Sequence, residues 1–94
     1  MQMRQVLFIQ LRLMKIKPLS DSLKLYLVKH RLEKKFIKQI KFFQQNPSYP
    51  SLHTELLEPR SEGVYSFRID RKYRVLFIIT NSEVEIVDIN DHYH

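Results

Sequence analysis

Tyr65-Ser66-Phe67-Arg68-Ile69-Asp70-Arg71-Lys72-Tyr73-Arg74-Val75-Leu76-Phe77 decides how this chain folds. Apolar and polar residues alternate on the left of it: Tyr65, Phe67 and Ile69 point one way from a strand, Ser66 and Arg68 the other. Asp70-Arg71-Lys72 is a polar break of the kind that turns a chain. Residues 73–80 are apolar on both faces except at Arg74, as expected for a central strand covered on both sides. Asn81-Ser82 then suits a two-residue hairpin turn, and residues 83–89 alternate again. The stretch predicts three hairpin-linked strands with two arginines flanking the first turn.

Working toward the N-terminus, residues 46–62 hold three of the four prolines and read as a connector. Leu32, Phe36, Ile40 and Phe43 recur at helical spacing and predict one buried stripe on a helix over residues 31–45, stopped by Asn46-Pro47. Ser20 and Asp21 suit the start of a shorter helix over residues 22–29. Residues 5–17 alternate imperfectly and predict a further strand, ended by Pro18. Residues 1–13 stand apart as an N-terminal extension, and Met14 offers a second start. The fold class is therefore α+β: an N-terminal strand, a two-helix hairpin, then a three-stranded antiparallel meander, all in one domain over residues 1–94.

At 94 residues the chain has room for one modest core, burying roughly 60% or more of its unfolded surface. It has no cysteine, which fits a reducing cytosol and removes thiolate zinc and disulfides. The longest apolar run near the start is Val6-Leu7-Phe8-Ile9, too short for a secretory or membrane-spanning segment. A soluble cytoplasmic protein with no membrane partner is the expectation.

The net charge of +6 is unevenly placed. Lys24, Lys29, Arg31, Lys34, Lys35, Lys38 and Lys41 face only Glu33 over residues 23–42, whereas acidic residues outnumber basic ones from residue 43 onward. Such a pole is a solvated helix face, a surface for an acidic partner protein, or a surface that tracks a polyanion. Lys34, Lys35, Lys38, Lys41, Arg71 and Lys72 are the candidates for contact with RNA.

Cutting RNA without a metal needs a base for the 2′-hydroxyl, an acid for the departing 5′-oxygen, and cations around the phosphorane. Arg68 and Arg74, brought close by antiparallel pairing, suit a phosphate through paired N–H donors; surface ion pairs with Asp70, Glu83 or Glu85 are the plainer reading. His92 changes charge near neutral pH but stands close to the chain end, where a histidine is commonly just exposed. Tyr93 suits stacking on a base or proton donation, or capping of the core. Asp88, Asp91, His92 and His94 lack the spacing of a metal site, and the lone Gly63 leaves no phosphate-cradling loop. No cofactor or metal is expected.

These residues carry a resemblance. Tyr65-Ser66-Phe67-Arg68-Ile69, Arg74-Val75-Leu76-Phe77 and the closing His92-Tyr93 resemble the RelE/ParE superfamily of bacterial toxin–antitoxin toxins, most closely its YoeB-like branch. Residues 32–47 and Pro50-Ser51-Leu52-His53 are similar too, so the likeness covers most of residues 15–94. It implies a compact RelE-like fold, cleavage of messenger RNA in the ribosomal A site, and inhibition by an antitoxin with an acidic or amphipathic segment. It also implies roles: Arg74 on the transition-state phosphate, Arg68 on the RNA backbone, His92 in proton transfer, Tyr93 in stacking or as acid. Where the branch has a glutamate base before the connector proline, this chain has Tyr49 before Pro50; Glu55 and Glu58 are the candidate substitutes. Asn90 stands where related branches have glycine. The ParE side of the superfamily shares the fold, lacks the catalytic set and targets DNA gyrase, which makes a gyrase-directed or purely RNA- or antitoxin-binding protein the alternative.

Overall fold

The structure, a computed structural model, describes residues 14–92. The expected strand over residues 5–17 therefore lies mostly outside the described residues, as do Tyr93 and His94. Its described part forms β1 (Lys15–Ile16). Helices α1 (Asp21–Lys29) and α2 (Glu33–Gln45) follow, then β2 (Glu55–Leu56), β3 (Tyr65–Arg68), β4 (Arg74–Thr80) and β5 (Glu83–Asn90).

Local chemistry explains the helix boundaries. The Ser20 hydroxyl accepts the Leu23 amide at 3.3 Å and caps α1, with Asp21 in the first turn and Lys29 in the last, each favourable to the helix dipole. Arg31 sits in the left-handed region (φ 56°), and the Leu32 amide reaches back to the Leu27 carbonyl at 2.8 Å. That closes α1, so the second helix begins at Glu33 and not at Arg31 as the periodicity predicts. Leu32, Phe36 and Phe43 are buried as expected, with Ile40 packed beside them.

The α+β class stands, but the three-stranded meander needs correction. It is the middle of a five-stranded mixed sheet in the order β1-β5-β4-β3-β2. The connector supplies β2, which pairs antiparallel with β3 through Glu55↔Ser66 and Leu56↔Tyr65. It is held there by two hydrogen bonds, Thr54 Oγ1 to the Pro47 carbonyl (2.6 Å) and the Leu57 amide to the Val64 carbonyl (2.8 Å). At the other edge β1 runs parallel to β5; the connection between them is long, as parallel pairing requires, and passes through both helices and strands β2 to β4. Asn81 and Ser82 both take positive φ (51° and 61°), the turn whose twist matches its flanking strands.

Alternation sends Phe67, Val75 and Phe77 to one face of the sheet, where α2 covers them. The Phe43 ring lies 5.0 Å from Phe67 and 5.3 Å from Phe77. The other face carries Glu55, Ser66, Arg68, Arg74, Leu76 and Asn90, as the pairing register requires.

Candidate functional site

Arg68 and Arg74 are direct cross-strand partners, and Arg74 is in turn paired with Asn90 on β5. One row across three strands thus carries both arginines and ends two residues before His92. Yet the two guanidinium groups have different fates. Arg74 is only 3% exposed. Its Nε and Nη2 donate to the Ser66 hydroxyl, Nη2 also donates to the His53 carbonyl (3.0 Å), and Glu55 Oε1 lies 3.6 Å from Nη2. Surface ion pairs with Asp70, Glu83 or Glu85 are the plainer alternative in the sequence for the two arginines; Arg74 directs its donors to this inward set. Desolvating a guanidinium is costly unless its donors are met, and here hydroxyl, carbonyl and carboxylate meet them.

Half-buried Arg68 is one of the residues lining a groove of about 370 Å³, whose other walls are Lys35, Lys38 and Gln39 from α2, Ser51 and His53 from the connector, and Ile69 through Arg71 from the β3–β4 turn. Gln39 is the beam behind it. Though buried in the apolar stripe of α2, its Nε2 donates to the Arg68 carbonyl at 2.8 Å and to the Ser51 carbonyl at 3.4 Å. It fastens helix, turn and connector at one point.

Asp70 is the counter-charge in this wall. Oδ1 accepts the amides of Lys72 (2.9 Å) and Tyr73 (2.8 Å), and Oδ2 accepts Lys35 Nζ (3.0 Å). Burial pushes the carboxyl upward, but the Tyr73 amide, the Lys35 ammonium and the Lys72 amide outweigh it and hold the pKa below the ordinary carboxylate value.

The other expected residues fall outside the groove. Lys34 and Lys41 are exposed on α2. Lys72 lies 4.0 Å from Asp91 and over the Tyr73 ring. Glu58 pairs with Arg60 at 3.3 Å, while Glu55 turns its carboxylate to Arg74. His92 has an 85% exposed side chain 3.8 Å from Asp91, and its amide donates to Asn90 Oδ1 at 3.1 Å.

His53 is a groove residue that the sequence reading does not single out. It lines the groove from a left-handed backbone position (φ 46°, ψ 48°). The sequence signal was there in Pro50-Ser51-Leu52-His53, a histidine in a short proline-led connector, but nothing in its spacing ties it to Arg74. A second cluster joins α1 to the far side of the turn: the Tyr26 and His30 rings lie 4.1 Å apart, tilted by 36°, and Tyr73 Oη lies 3.2 Å from His30 Nδ1. Burial, then the nearby Tyr73, Asp91 and Asp88, pushes the Tyr26 phenol up.

Among the described residues no three of His, Asp and Glu gather as a metal site, and no helix is long and apolar enough to cross a membrane. The chain is similar to a protein of Haemophilus influenzae described as uncharacterized, with 38% identity over 45 residues, 48% of this chain and 45% of the relative. The match thus spans less than half the length of that relative. No protein-family profile matches.

Proposed function

We propose that the chain is the toxin of a RelE/ParE-type toxin–antitoxin pair, acting in the cytoplasm as a metal-independent endoribonuclease on ribosome-bound messenger RNA. The convergence of Lys35, Lys38, Arg68 and Arg71 around His53 carries this reading. A groove with four cations and an imidazole has the charge to seat a phosphodiester and a group to exchange its protons.

In this reading His53 takes the proton of the 2′-hydroxyl, whose oxygen attacks phosphorus. The bond from phosphorus to the 5′-oxygen breaks, leaving a cyclic 2′,3′-phosphate and a 5′-hydroxyl. His92, or Tyr93 next to it in the sequence, protonates the departing oxygen. Arg68 and Arg71 hold the phosphorane, and Lys35 and Lys38 hold the backbone leading to it. Arg74 acts from behind the groove, holding the His53 carbonyl, rather than on the phosphate itself. Lys34, Lys41 and Lys72 extend the positive surface toward ribosomal RNA or an acidic antitoxin segment.

The burial of Arg74 also favours a second reading, a same-fold toxin that binds a target such as gyrase without cutting RNA. Primer extension on transcripts from induced cells separates the two. Cuts within translated codons support the nuclease; a DNA-damage response with intact transcripts supports the binder.

A further inference from the structure

We infer that Tyr49, stacked on Phe42, is a platform for one base of single-stranded RNA, next to the nucleotide whose phosphate sits in the groove; the inference rests on reading that groove as an RNA site. The two rings are nearly parallel (4° between planes) and stacked, with centroids 4.2 Å apart. Phe42 is half-buried against the core, whereas Tyr49 stays 39% exposed. Phe42 backs one side of the tyrosine, and the ring still presents apolar surface to solvent.

The position is held firmly. Asn46 Oδ1 accepts the Ser48 amide (3.1 Å) and hydroxyl (2.7 Å). The Tyr49 amide donates to the Asn46 carbonyl at 2.9 Å, and the Leu52 amide donates to the Tyr49 carbonyl at 3.0 Å. Pro47 and Leu52, on either side in the chain, are fully buried. A ring fixed this way loses little freedom when a base lands on it, which is what a stacking site requires.

The platform adjoins the groove by construction. Lys38, one helical turn before Phe42, and Ser51, two residues after Tyr49, both line it. Exposed Lys41 neighbours Phe42 in the chain. Cations beside an exposed, rigid aromatic pair are the combination that binds single strands with little sequence preference.

The test uses the purified full chain and fluorescence anisotropy with two labelled probes: a 2′-O-methyl adenosine decamer, which cannot be cleaved, and the same backbone lacking bases. Tyr49→Ala is expected to weaken binding of the decamer about 10-fold and leave the abasic probe unchanged, while Tyr49→Phe binds both like the wild type. Equal losses for both probes would mean that Tyr49 only shapes the loop, and an unaltered decamer affinity would remove the platform; either outcome overturns this inference and spares the groove. A wild-type chain that binds neither probe at low salt overturns the groove reading and the platform together.

Discussion

Arg74 Nη2 donates to the main-chain carbonyl of His53 at 3.0 Å, tying the start of β4 to a residue 21 positions earlier in the chain. His53 occupies a left-handed conformation that a non-glycine residue adopts only when its surroundings impose it. The guanidinium is thus a brace for the lip of the groove. Arg74→Ala would leave the Ser66 hydroxyl and the His53 carbonyl without their donor. It should lower stability by about 2–4 kcal/mol in urea unfolding, and Arg74→Lys should recover only part of that, because an ammonium cannot span the same acceptors.

His53→Gly separates the lip from its side chain. Glycine accepts positive φ without strain, so stability should be unchanged or raised, by at most about 1 kcal/mol. Growth arrest on expression should nevertheless disappear. Thermal unfolding and a plating assay read the two effects independently; a destabilised but fully toxic variant would contradict both.

The pH dependence follows from Asp70. Its folded pKa lies below the ordinary carboxylate value, so its ionised form is bound more tightly in the folded state. The stabilisation is complete above the unfolded value of about 4 and disappears as pH falls through the lower folded value. Asp70→Asn should therefore be less stable than wild type at neutral pH and converge with it below that acid window. Denaturation midpoints measured at neutral pH and across that window check the convergence.

Gln39→Leu keeps volume and improves hydropathy, yet it deprives the carbonyls of Arg68 and Ser51 of a donor. The variant should lose about 1–3 kcal/mol in urea unfolding. A stabilised variant would show that the apolar stripe, not the polar beam, holds α2 to the turn.

Much of this is legible in the sequence alone. The stripe Leu32, Phe36, Ile40 and Phe43 and the turn at Asn81-Ser82 are local signals, and local chemistry decides them. The flanking of one turn by Arg68 and Arg74 was equally plain. Their different fates were not, because Arg74 is buried by acceptors from β2, β3 and the connector, which only the assembled sheet brings to it. Strand β2 escaped notice since two residues among prolines carry no periodicity. The parallel contact of β1 with β5 joins residues nearly the whole chain apart. His53 was hidden for the same reason as β2: its importance lies in what reaches it from elsewhere.

The groove cations and the reaction meet in one experiment. Wild type, Arg68→Ala and a Lys35→Ala/Lys38→Ala double variant are added to a translating extract, and cleavage is mapped by primer extension. The account predicts that wild-type protein cuts within translated codons. It predicts cutting reduced about 100-fold or more by Arg68→Ala, in line with the loss of one charge-stabilising group, and reduced and made less salt-sensitive by the double variant. Transcripts left intact by the wild type, or cut equally well by all three proteins, would contradict it.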